Sequence, residues 1–182
     1  MNRKSALPAK EKFVTGVLLL IIFQGSSSFI QYLNEPVITA SELKLLKGKW
    51  EGTLTYRDYT SGKSETINVI VTGSRKGNKQ TSRTWSLQFT YPQEPGHEAT
   101  DELTVSADGK MINEAKLIEK TTLADGTLKL VLESSGKDGN DNKPCTFNKV
   151  IQLGKNNLTI TKLVRFDGEA DFILRNEYKL SR

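Results

Sequence analysis

Two lysines fall where a sheet would ordinarily place apolar side chains. If Leu153 pairs with Leu158 across the turn at 154–157, then Ile151 faces Ile160 and Lys149 faces Lys162, all on one face of a hairpin. Like charges set opposite each other are unfavourable in a sheet, and more so where water is scarce. An anion between them relieves the repulsion. The pattern suits the carboxylate or phosphate of an otherwise apolar ligand, with Asn176 on the next strand and Glu119 further round as additional inward polar groups. Tyr56, Trp85 and Phe89 are the aromatic side chains expected to line the same interior. The alternative is that the pair stands at a wetted rim, or that a bulge turns one lysine outward.

Other chemistry is sparse. A nucleophile, its base and an orienting group must converge, and the chain has one His, one Cys and no Gly-x-Ser-x-Gly, so no catalytic residues are assigned and no enzymatic activity is expected. Residues 72–77 (Thr-Gly-Ser-Arg-Lys-Gly) lack the Gly-Lys-Ser/Thr ending of a phosphate loop. The stretch 138–142 places oxygen ligands at alternate positions but lacks the later glutamate of a calcium loop, so it reads as a polar turn and no metal site is assigned. His97 sits in a proline-rich connector and reads as an exposed loop residue. Cys145, alone in the chain, cannot form an internal disulfide and is expected to be a small buried hydrophobe. Asn157-Leu158-Thr159 fits a glycosylation acceptor but falls at the start of a strand.

The elements that must position the lysines are strands. Ser41 reads as the N-cap of a short helix with Leu43 and Leu46 at i,i+3 spacing, ended by Gly48. Beyond it Trp50, Gly52, Leu54 and Tyr56 alternate with polar residues, the period of a half-buried strand. The pattern then repeats to the end of the chain, predicting strands at 50–57, 65–72, 83–91, 99–106, 111–122, 127–134, 145–153, 157–165 and 171–180, joined mostly by glycine-bearing turns. No later stretch has helical periodicity, so neighbours in sequence should be neighbours in the sheet. Closing that sheet removes both unpaired edges. The expected fold is all-β, an antiparallel up-and-down β-barrel of about eight to ten strands behind a short N-terminal helix.

The first 28 residues differ from the rest. Arg3, Lys4, Lys10 and Lys12 precede an apolar run over 13–23, followed by Gln-Gly-Ser-Ser-Ser, the three-part pattern of a secretory signal cleaved before Phe29. The run is shorter than the ~20 residues that span a bilayer; the alternative is an uncleaved anchor extending to about Leu33. No cysteine follows it for lipid attachment. Residues 29–40 contain Pro36 and no clear period, and read as a linker to a barrel at 41–182. The formal charge of +5 includes +3 from the leader, where four basic residues face Glu11, leaving +2 on the remainder. So small a charge argues against nucleic acid as a partner. A monomer outside the cytoplasm, periplasmic or secreted, is expected, with no membrane contact unless the leader is retained.

At Gly48-Lys49-Trp50, after a helical turn and before a strand meander, the chain resembles the lipocalin and wider calycin group, and Trp50-Glu51-Gly52 is similar to small bacterial lipocalin-like domains. The resemblance implies a barrel with an interior cavity for a small apolar or amphipathic ligand. It also implies an arginine from the last strand packed across the tryptophan at the closed end. Arg182 shares parity with Leu180, Tyr178 and Leu174 and is the candidate, a frayed terminus being the alternative; Arg175 has the opposite parity. No Thr-Asp-Tyr follows in the later loops. Some related barrels hold haem through one histidine, but His97 lies in a mid-chain loop, so no cofactor is expected. A different class of function stays open: an interaction module with a solid core of Trp50, Trp85, Phe89 and Phe147, binding a protein or glycan through its loops.

Overall fold

The described chain enters its sheet through a short helix whose two inward leucines are completely buried. The structure, a computed structural model, describes residues 35–78 and 81–182. The leader at 1–28, its alternative as an anchor, and the start of the linker lie outside the described residues. Glu42–Leu46 forms a 3-10 helix that buries Leu43 and Leu46. Its cap is not the expected one: Ser41 makes no capping hydrogen bond. Instead the Glu42 carboxylate accepts from the Thr39 backbone N–H at 2.8 Å and its hydroxyl at 3.0 Å, a capping arrangement begun two residues earlier. The end of the stretch read as linker is also core, with Ile38 and Ala40 buried and the Ile38 N–H donating to Gly109 O at 2.9 Å. Gly48, at φ +114°, swings the chain from the helix into the first strand, a conformation other residues rarely adopt.

Ten antiparallel strands follow: β1 (Gly48–Arg57), β2 (Ser64–Arg75), β3 (Thr84–Thr90), β4 (Ala99–Thr104), β5 (Met111–Ile112), β6 (Ala115–Thr122), β7 (Leu128–Asp138), β8 (Lys143–Leu153), β9 (Asn157–Phe166) and β10 (Ile173–Ser181). Their spatial order is β4-β3-β2-β1-β10-β9-β8-β7-β6-β5, so the last strand docks on the first, from Glu51↔Ser181 to Tyr56↔Asn176. The circle is nearly complete. Between β4 and β5 it is joined by one bridge, Val105↔Ile112, by Ser106 and Met111, which exchange Ser106 N–H to Met111 O at 2.9 Å and Met111 N–H to Ser106 Oγ at 3.0 Å, and by Asn113, whose N–H donates to Thr104 O while its side chain bonds Thr104 N and Glu102 O.

The structure departs from the sequence-based strands in four places. The run at 111–122 is two strands folded at Asn113, which adopts a left-handed φ of 55° without help from glycine. A bulge between Leu117 and Glu119 then reverses the alternation, so Glu119 pairs with Val131 and forms an ion pair with Lys129 at 2.8 Å. Glu119 is therefore not an interior polar group. A second irregularity, between Leu174 and Asn176, leaves Leu174 at 44% exposure rather than on the apolar face. The connector read as 136–144 shrinks to 139–142 because β7 and β8 run on past their apolar stretches.

Candidate functional site

The lower end of the barrel, where the helix packs, is filled. Trp50 is fully buried, and its indole N–H donates to Leu46 O at 3.0 Å. The Arg182 guanidinium lies 4.0 Å from the centre of the Trp50 ring and donates to Lys47 O and Lys155 O, both at 2.8 Å. Its charge is thus held against the ring face by two backbone acceptors. Trp85, read from sequence as ligand-lining, belongs to this plug: it is 3% exposed and its indole N–H donates to Ala40 O at 2.8 Å. Helix and sheet meet without a spacer at Gly73, where a Cβ would stand 1.9 Å from Leu46 O.

Higher up, the hairpin of β8 and β9 has the register that its short turn implies: Leu153↔Leu158, Ile151↔Ile160 and Lys149↔Lys162. The ammonium groups take different partners. Lys149 Nζ forms an ion pair with Asp101 Oδ2 at 2.5 Å, joining β8 to β4, two strands that are not neighbours in the sheet. Lys162 Nζ lies 4.1 Å from the Phe147 ring centre and has no carboxylate partner among the described residues. The sequence does not single out Asp101, although it shares parity with the buried Leu103 on β4. On β10, Asn176 stands beside Lys162, and Tyr178 packs its ring 5.0 Å from that of Phe89. The Tyr91 and Tyr178 hydroxyls are 3.2 Å apart, and burial, reinforced by that contact, pushes the Tyr178 hydroxyl well above its ordinary value of 10.0, so it stays neutral near pH 7.

Two open cavities meet at the lysines. The larger, of about 540 Å³, is lined by Leu103, Ile112, Asn113, Glu114, Leu132, Ser134 and Phe147. The smaller, of about 240 Å³, is lined by Phe89, Ala99, Asp101, Ile160, Asn176 and Tyr178. Lys149 and Lys162 line both. The larger opens sideways because the wall is low there: β6 leaves β7 at Lys116↔Glu133, while β7 continues to Asp138 paired only with β8. Tyr56 reaches neither cavity. Its hydroxyl donates to Glu65 Oε2 at 2.8 Å, and it borders a separate outer cleft where β1 and β10 diverge, beside Arg57, Ile173 and Arg175.

The remaining candidates have structural partners. Asp138 accepts from the Tyr59 hydroxyl at 3.0 Å and sits 3.6 Å from Arg175 Nε, whose guanidinium covers the Tyr59 ring at 4.3 Å. Burial first, and that carboxylate second, push the Tyr59 hydroxyl up to about 12. Asp141 pairs with Lys143 at 2.9 Å, and His97 is exposed. Cys145 is 2% exposed; burial and then Asp138 raise its thiol above the ordinary value, so a reactive thiolate is disfavoured. Among the described residues no three His, Cys, Asp or Glu side chains are grouped to hold a metal ion.

An antiparallel meander, last strand closed on first, with a helix-plugged base and a terminal arginine stacked on its tryptophan, fits a calycin-type barrel fold. One of two solved structures that match supports the fold. The crystal structure of Rv2717c from M. tuberculosis matches at a TM-score of 0.53 and 15% identity, covering 81% of this chain and 99% of that one. The structure of the S-type phycobiliprotein lyase CPES from Guillardia theta matches at a TM-score of 0.44 and 8% identity, over 80% of this chain and 93% of that one. The sequence matches no family model and no curated protein.

Proposed function

We propose that this protein is a binder, not an enzyme, and that it holds a small amphipathic ligand in the upper half of its barrel, with an acidic group of the ligand at Lys162. The observation that carries the reading is the cavity of about 540 Å³ beside a lysine that has an aromatic face but no carboxylate partner among the described residues. That volume lies within the ~300–1,000 Å³ of small-molecule sites, which pair apolar walls with a few polar groups. Phe147 and Phe89 line the cavities instead of filling them, which favours a ligand over a solid interaction module. The leader pattern at 1–28 supports a site of action outside the cytoplasm; a mature protein beginning at Phe29 is the expected result of N-terminal sequencing.

The test is displacement of a fluorescent fatty-acid probe by dodecanoate and by dodecanol. Both should compete saturably. Changing Lys149 and Lys162 together to Met should weaken dodecanoate about tenfold, as expected for loss of a charge-assisted contact, and spare dodecanol. Equal loss for both ligands counts against an anion at the lysines, and no saturable displacement by either rejects the reading.

A further inference from the structure

We propose that Asp101 sets the charge class of ligand this barrel accepts, holding the interior at one net positive charge so that a single monoanion, a carboxylate, completes it. The inference rests on the binding reading above and adds the selection rule.

The side chains lining the two cavities include four charged ones. Lys149 and Lys162 stand side by side on β8 and β9, Asp101 reaches Lys149 from β4 at 2.5 Å, and Glu114 lies at the exposed outer lip. Water screens Glu114, whereas the other three share the partly enclosed space between the cavities. Those three sum to one positive charge. The other polar groups on the facing strands are neutral: Asn176, Ser134, Ser135, Thr100 and the Tyr178 hydroxyl, which burial keeps protonated. A neutral amphiphile leaves Lys162 without an anion. A dianionic phosphate monoester brings the space to a net negative charge and sets its oxygens against the Asp101 carboxylate. A carboxylate balances the set, taking Lys162 directly while Asp101 keeps Lys149. Unbalanced charge in a partly desolvated space is what costs affinity, so the count decides the ranking. Asp101 is thus a specificity-determining residue, acting on the ligand through Lys149 and through the field it contributes.

The rule is tested by titrating the protein at pH 8, where a phosphate monoester is mostly dianionic, with dodecanoate, dodecanol and dodecyl phosphate. The unmodified protein should bind dodecanoate about tenfold tighter than either of the others. In Asp101→Asn, which keeps size and shape, the interior gains a charge; dodecyl phosphate should improve about tenfold and become the tightest of the three. Combining Asp101→Asn with Lys149→Met restores one positive charge, and dodecanoate should lead again. An unchanged ranking in Asp101→Asn, or a double variant that fails to revert, overturns the inference while leaving ligand binding intact. If none of the three amphiphiles binds the unmodified protein, the binding reading itself has failed. Circular dichroism checks that each variant is folded. Should Asp101→Asn not fold, Lys149→Met alone carries the test: with no net charge it should lose dodecanoate about tenfold relative to dodecanol, and an unaltered ratio overturns the proposal.

Discussion

The two halves of this barrel are made by the same strands and differ in what those strands point inward. Along β8, Leu153 and Ile151 are sealed in the base, and the next two inward positions are Lys149 and Phe147, which line open space. Along β9 the change falls at the same height, from Leu158 and Ile160 to Lys162. Below that level large apolar side chains, two indoles and a helix leave no room. Above it the wall is lower and the side chains carry charge. A lysine in the base would stand uncompensated in a dry core, whereas the Lys149 side chain keeps 32% of its surface exposed and has a carboxylate in reach. Packed core and open space are thus divided along the barrel axis.

The division can be tested by damage to each half. The largest effect is expected at the base: Trp50→Ala should cost about 3–5 kcal/mol in urea unfolding, because the side chain is fully buried and its cavity cannot collapse between helix and sheet. Phe147→Ala, which enlarges a cavity already open, should cost less than half as much, and equal losses would break the comparison. A smaller effect is expected at the rim of the base. Arg182→Ala removes the stack on Trp50 and two backbone hydrogen bonds, for about 1–2 kcal/mol, and Arg182→Lys should recover little of it because an ammonium lacks the planar fork. The smallest concerns the helix cap. Burial alone would raise the Glu42 carboxyl, but hydrogen bonds from Lys120 and Thr39 outweigh it and hold the group below its ordinary 4.5. A carboxylate lowered on folding stabilises above that value, and its contribution is lost as pH falls through the lower folded value. Glu42→Gln should therefore be less stable at pH 7 by a few tenths of a kcal/mol, with the difference closing below about pH 4.5 in thermal melts.

How much of this was legible in the sequence depended on whether local signals set the geometry. The barrel was readable because alternation and turn residues agree along most of the chain, and the facing lysines because so short a turn leaves Leu153 little choice but Leu158. The departures come where one residue shifts the count. Asn113 turns the chain without a glycine to announce it, and the bulge before Glu119 reverses every inward assignment after it. Asp101 is not legible because its partner lies 48 residues away on a strand that is not its neighbour in the sheet, a contact that periodicity along one strand cannot show. Alternation puts Trp85 on the inward face, but only the docked segment around Ala40 reveals which end of the barrel it serves.

The seam between β4 and β5 has a mechanical consequence. Every other strand boundary in the ring is a ladder of backbone pairs except the brief β5–β6 hairpin, whereas this one has one bridge at Val105–Ile112, held by Ser106–Met111 on one side and an asparagine clasp on the other. A ring stressed from within parts at its weakest joint. Under load this joint is expected to open first, while the tryptophan-weighted base stays shut.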